Sequence, residues 1–188
     1  MSDVRELRDH LLAHAVRSGD FVLKSGARTS FFVDAKQTTC RPDGMLLVAD
    51  AALEAMPDEA TAIGGLTMGA DAVAFAVAAV AATRGRMLRS FSVRAQPKDH
   101  GGGGRVAGAL EVGDQVVITE DTVTRGVSML EAAEVVRQAG AEPVLLLPVV
   151  DRGGSAAKLA RDAGIAYRAL LTSTDLGFAL EAEARGRD

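Results

Sequence analysis

In residues 116–128, VVITEDTVTRGVS, an apolar run passes into two adjacent carboxylates, Glu120 and Asp121, and then into Thr122, Val123, Thr124, Arg125, Gly126, Val127 and Ser128. A glycine-bearing turn that opens onto a helix presents backbone N–H groups without partners of their own, and the Thr124 and Ser128 hydroxyls would join them. Such a cradle suits a phosphate monoester. The carboxylates would repel that phosphate, so their use must differ: they can accept hydrogen bonds from sugar hydroxyls, or stabilise positive charge developing on a ribose ring. Acid pair and cradle together describe a phosphorylated sugar. Each part alone has a plainer use, since acids and Ser or Thr at a helix start also serve as caps. What sets the segment apart is its order: apolar strand, two acids, then Thr124 with Gly126 and Ser128 two and four residues beyond it.

Other stretches carry chemistry of the same kind. VRAQPKDHGGGG, residues 93–104, places Arg94, Lys98 and His100 on a segment whose Pro97 and run of glycines rule out a stable helix or strand. It reads as a lid bringing cations to a polyanion such as pyrophosphate, although composition alone would equally describe a solvated loop. GGLTMGADAVA, residues 64–74, reads as strand, turn and helix, and its turn at Thr67, Met68 and Gly69 would let backbone amides approach a pyrophosphate. It matches neither G-x-G-x-x-G nor a P-loop, so a dinucleotide site is unsupported. In LKSGARTSFFVD, Lys24 at a turn is expected in solvent, and Phe31 and Phe32 in the core. His10 and His14 are four residues apart and could share a metal; no third ligand is recognisable, so a surface pair is expected.

Composition narrows the classes. The chain has 188 residues, 48% apolar and 24% charged, ordinary for one globular domain able to bury its own core. A formal charge of -4 with scattered basic residues offers no global attraction for nucleic acid. Cys40 is the only cysteine, which excludes an internal disulfide and a multi-thiolate metal site, and it reads as a reduced cytosolic thiol. The N-terminal MSDVRELRDHLL lacks an apolar signal region. The most apolar window, residues 69–82, carries Asp71 and is shorter than the roughly 20 residues a membrane span needs. A cytoplasmic protein with neither membrane nor nucleic-acid partner is expected.

The elements that must position these residues follow from periodicity. Val4, Leu7, Leu11, Leu12, Ala15 and Val16 predict a helix over residues 3–17, ended by Ser18-Gly19-Asp20. FVLKSGARTSFFVD predicts a β-hairpin, and Pro42 the first turn of a helix reaching about Met56. Strands TAIGG, RMLRSFSVR, QVVITE, EPVLLLPVVD and AYRALLT are interleaved with helices over 69–83, 126–139 and 154–163. Continuous apolar strands separated by helices indicate an α/β fold, a doubly wound and mainly parallel sheet. Ligands in such sheets sit outside the carboxyl ends of the strands, where residues 64–69, 94–104, 120–128 and 151–154 all fall.

The segment VVITEDTVTRGVS resembles the thirteen-residue PRPP-binding motif of the type I phosphoribosyltransferases. The remainder, with R-x-x-x-K-D-H-G in the lid, resembles the orotate phosphoribosyltransferases over nearly its whole length. The resemblance implies a single domain over 1–188, with a small N-terminal hood from residues 1–40 and a mobile catalytic loop over 94–109. It implies transfer of phosphoribosyl from PRPP to orotate, giving orotidine 5′-monophosphate and pyrophosphate in pyrimidine biosynthesis, with Mg²⁺ held through substrate oxygens and no dedicated metal ligands. It makes Lys98, His100 and Asp121 catalytic, and gives PRPP to Arg94, Lys98, His100 and the motif from Glu120 to Ser128. Lys24, Phe31, Phe32, Thr124 and Arg152 would hold orotate, and Thr67, Met68 and Gly69 the pyrophosphate. A homodimer whose loops reach into the neighbouring subunit is also implied. The chain departs from the family pattern at Ala95, where a lysine is usual, and at Thr67-Met68, where many members have Tyr-Lys. The alternatives are the same chemistry on another base and a PRPP-sensing regulator without catalysis.

Overall fold

The computed structural model describes residues 4–22, 28–97 and 104–178. Helix α1 (Val4–His14) buries Leu7 and Leu11 and leads into the antiparallel pair β1 (Val16–Val22) and β2 (Arg28–Val33). Here the structure corrects an expectation: Ser18-Gly19-Asp20 does not end a helix but lies inside β1. The β1–β2 register shifts between Ser18 and Phe21, so the breakers are absorbed in a bulge. This small sheet with α1 forms an N-terminal hood.

A short helix, α2 (Lys36–Thr39), and then α3 (Pro42–Ala55), with Pro42 in its first turn, join the hood to the main sheet. Then come β3 (Ala62–Leu66), α4 (Gly69–Thr83), β4 (Arg89–Val93), β5 (Val106–Gly108), β6 (Gln115–Val123), α5 (Val127–Gln138), β7 (Glu142–Asp151), α6 (Ala156–Asp162), β8 (Ala166–Tyr167) and β9 (Leu171–Thr172). The main sheet runs β5-β4-β3-β6-β7-β8, with β9 also on β7, and only the β4–β5 pairing is antiparallel.

Side chains alternate across the sheet as a two-residue period requires. Ile63, Val117, Leu145 and Leu147 pack with α3 and α4, while Ala62, Val116, Ile118 and Leu146 pack with α5 and α6. Both faces are therefore covered, which is why the strands read as continuous apolar runs.

Three further boundaries differ from the sequence expectation. Strand β6 runs on to Val123 because β7 stays in register beside it, pairing Thr122 with Val150 and Val123 with Asp151. Residues 94–109 are not loop throughout: Val106–Gly108 pair with β4, and the Arg94 amide donates to the Arg105 carbonyl at 2.7 Å, closing a neck. The expected strand AYRALLT is two short strands, β8 and β9, because each touches β7 at a different level.

Candidate active site

The chain leaves β3 toward β4 on one side and returns to β6 on the other, so the carboxyl ends of β3 and β6 flank the point where strand order reverses. Glycines make the close packing at this crevice possible. A Cβ on Gly65 would lie 2.3 Å from the Thr119 carbonyl oxygen, and one on Gly64 2.4 Å from that of Phe91. The turn at Thr67 and Met68, whose linking peptide is cis, then carries the chain into α4. Thr67 Oγ1 donates to Asp71 Oδ2 at 2.6 Å, and Ser92 Oγ donates to Asp71 Oδ1 at 2.7 Å, so this carboxylate braces the turn against β4. The Met68 side chain is left exposed.

Glu120 and Asp121 lie within β6, near its end rather than after it, and both are buried. The start of α4 presses on them, with the Gly69 Cα against the carboxyl of Glu120. Burial first, and the neighbouring Asp121 charge second, push the Glu120 carboxyl up to about 7, against the hydrogen bonds of the Asp121 amide and the Ser128 hydroxyl. Asp121 Oδ1 accepts the Thr122 amide at 2.7 Å, and its Oδ2 pairs with the Lys36 ammonium. Partial burial lowers the Lys36 pKa, but the hydrogen bond and charge of Asp121, with the charges of Glu120 and Asp34, outweigh it and leave it above the ordinary value.

Lys36 is the residue that sequence reasoning missed. It stands 85 positions from Asp121, on a four-residue helix too short to show any period. No local pattern marks it.

The turn after β6 is set by Gly126, the residue preceding α5, at φ +83, in the left-handed region that favours glycine. A Cβ there would also come within 2.9 Å of the Ala156 Cα. No side chain caps α5, so its first-turn amides have no capping partner to compete with an anion. The turn after β7 packs alongside. The Arg152 amide donates to the Val123 carbonyl at 2.8 Å, and Arg152 Nε and Nη2 donate to Thr124 Oγ1 at 3.1 and 2.8 Å. Asp151 holds that turn from below, accepting from the Gly153 amide at 2.8 Å and the Tyr167 hydroxyl at 2.6 Å. Burial and then the Asp151 hydrogen bond raise the Tyr167 phenol well above its usual range, so it remains a donor.

The structure thus brings Thr67, Met68, Gly69, Glu120, Asp121, the turn from Thr122 to Ser128, and Arg152 to one edge of the sheet. Arg94 stands at the lid's base on the neighbouring strand end, its Nη1 donating to the Val106 carbonyl at 3.4 Å. Arg125 and Val127 are exposed, Thr122 and Thr124 half-buried and Val123 buried. Phe31 and Phe32 face opposite sides of β2. Phe31 is buried and stacks on Phe178 with centroids 4.2 Å apart, whereas Phe32 is exposed and touches Phe21. Lys24, Lys98 and His100 lie outside the described residues. Of the expected surface pair of histidines, His14 is exposed, but His10 departs: its side chain is 9% exposed, with Nδ1 3.1 Å from Thr38 Oγ1 and Nε2 3.3 Å from Asp43 Oδ2. Close packing of α1 on α2 and α3 draws it inward. Among the described residues no three His, Cys, Asp or Glu side chains form a metal cluster.

No family model matches the chain. Orotate phosphoribosyltransferase of Streptomyces avermitilis is 42% identical over 180 residues, covering 94% of this chain and 99% of that protein. Among solved structures, a phosphoribosyltransferase from Corynebacterium diphtheriae superposes with a TM-score of 0.82 at 36% identity, covering 95% of this chain and 100% of the other. Orotate phosphoribosyltransferase of Mycobacterium tuberculosis H37Rv, solved in complex with PRPP, gives a TM-score of 0.79 at 31% identity, covering 93% and 99%.

Proposed function

The chain belongs to the orotate phosphoribosyltransferase family, and on that premise we propose how its residues divide the family reaction, transfer of phosphoribosyl from PRPP to orotate with release of pyrophosphate. The observation that carries the division of labour is the buried pair Glu120-Asp121 at the end of β6, one tight turn ahead of an uncapped helix start, with the α4 start against it.

The 5′-phosphate occupies the turn from Thr124 to Ser128, where the α5 amides and helix dipole favour negative charge. Asp121 and Glu120 take the ribose hydroxyls. As the bond to pyrophosphate breaks, positive charge builds on the ribose ring, and a fixed carboxylate beside it stabilises that charge. The diphosphate lies toward Thr67, Met68 and Gly69; Mg²⁺ would come with the substrate rather than on protein ligands, and would offset the diphosphate charge. Arg94, with Lys98 and His100 of the lid, closes over the leaving group and keeps water from the activated sugar.

Orotate is anionic, and Arg152 presents a planar fork at the end of β7, in reach of Thr124. Lys24 supplies the second cation, and Phe31 and Phe32 the hood strand beside the base, with Phe32 the more open ring. The homodimer with exchanged loops and residence in the cytoplasm belong to the same proposal. No helix among the described residues is long and apolar enough to cross a membrane.

The decisive experiment is Mg²⁺-dependent loss of orotate absorbance on adding PRPP. Loss with orotate, and none with adenine or guanine, is the expected result; turnover of a purine alone would overturn the base assignment.

A further inference from the structure

The two adjacent carboxylates of the site are alike in the sequence but unlike in the structure, and the difference comes from the hood. Asp121 has both oxygens engaged: Oδ1 takes the Thr122 amide at 2.7 Å and Oδ2 takes the Lys36 ammonium. Its side chain is 8% exposed, so no solvent shell competes for these partners, whereas that of Lys36 is 42% exposed. Glu120 has no cation bound to it among the described ion pairs; its carboxyl takes neutral donors, the Asp121 amide at a long 3.3 Å and the Ser128 hydroxyl.

We propose that Lys36 is a positioning residue of this site: by gripping Asp121 Oδ2 from the hood, it fixes that carboxylate as the anionic acceptor for the ribose and leaves Glu120 as the member that exchanges a proton. The proposal rests on the ribose assignment given above and deepens it.

The charged groups around the pair support this division. From α2 and the residue pair preceding it come Lys36 and Asp34, and Asp34 is itself engaged by Gln37 Nε2 at 3.2 Å. The carboxylate in the first turn of α4, Asp71, is taken up by Thr67 and Ser92. The β7 residues in register with Glu120 and Thr122, Pro148 and Val150, carry no charge, and α5 contributes the Ser128 hydroxyl. Among the described residues Lys36 is therefore the cation this pair meets, and its ammonium carries more N–H donors than the one bond to Asp121 uses. The rise of the Glu120 carboxyl to about 7 agrees with a proton settling on the uncompensated partner.

Lys36→Met, Lys36→Gln and Lys36→Arg separate a positioning role from a merely structural one. In the free protein, carboxyl-carbon NMR follows the titration of the acid pair without any substrate. Loss of the ammonium should move the upper titration higher by about one pH unit, and Lys36→Arg should restore it. In steady-state assays kcat/KM for PRPP should fall about tenfold in Lys36→Met and Lys36→Gln, with the acid limb of its pH profile moved the same way and rescue by Lys36→Arg. An unmoved titration with wild-type kcat/KM in a folded Met or Gln variant overturns the proposal. Wild-type protein that fails to turn over orotate with PRPP would instead strike at the reaction assignment, and the NMR titration would still decide Lys36.

Discussion

Gly69 and Glu120 meet so closely that a side chain at position 69 has no room: a Cβ there would lie 1.7 Å from Glu120 Oε1 and 2.9 Å from Asp121 Oδ1. The start of α4 and the end of β6 thus form a single surface on which the acid pair is set. Residues 51 positions apart along the chain are locked in one another's geometry.

Gly69→Ala should therefore displace Glu120 and act on the reaction more than on the fold. A shift on the order of an ångström at a reacting group costs roughly 100-fold in rate, and overpacking costs about 1–3 kcal/mol of stability. Steady-state kinetics beside urea unfolding measures both. Wild-type kinetics in this variant would separate the acid pair from the chemistry.

The raised Glu120 carboxyl predicts a pH dependence of stability with a definite sign. Between the ordinary value of 4.5 and about 7, the folded protein holds a proton that the unfolded chain has released. The stabilisation is fully present below 4.5 and is lost as pH rises through about 7. A shift of this size corresponds to about 3 kcal/mol. Glu120→Gln cannot ionise, so the wild-type unfolding free energy should fall relative to this variant by about that amount from acid to mildly alkaline pH. Parallel stability curves would refute the assignment.

Asp121→Asn keeps the shape of the side chain and removes its charge. With Lys36 exposed enough to take up water, the fold should survive, as circular dichroism would report. Loss of a fixed anion beside the developing positive charge should lower kcat roughly 100-fold. Undiminished kcat would contradict the ribose assignment.

At the other end of the site, Arg152 directs both Nε and Nη2 at Thr124 Oγ1, and a lysine cannot reproduce that fork. Arg152→Lys should raise KM for orotate about tenfold while leaving KM for PRPP nearly unchanged. An equal rise in both would place Arg152 in general support of the turn.

Gly126→Ala forces a side chain into the left-handed region and onto Ala156. A cost of about 1–3 kcal/mol is expected in urea unfolding. Calorimetry with ribose 5-phosphate should show binding weakened by about tenfold or more, because the α5 amides are re-aimed. Unaltered affinity would remove this turn from phosphate binding.

The helices over Gly69–Thr83 and Pro42–Ala55 and the strand Glu142–Asp151 were legible because their apolar content is sustained and glycine or proline stands at or near their ends. The segment from Glu120 to Ser128 was legible for another reason: its chemistry is contiguous, so the order of residue types carries it. Less legible were pieces that exist only through a neighbour. Strand β5 forms because β4 offers an edge, the bulge in β1 because β2 dictates the register, and the last three residues of β6 because β7 continues beside them.

By itself, then, the sequence determined the layered α/β architecture and the phosphate-and-ribose character of one segment, since both are encoded in local period and local order. Only the tertiary structure decided that Lys36 engages Asp121, that Gly69 bears on Glu120, that Arg152 reaches Thr124 and that Phe31 and Phe32 part to opposite faces. Those relations join residues far apart in the chain, and they are set by which strands become neighbours and by which groups burial leaves without water, neither of which a linear pattern contains.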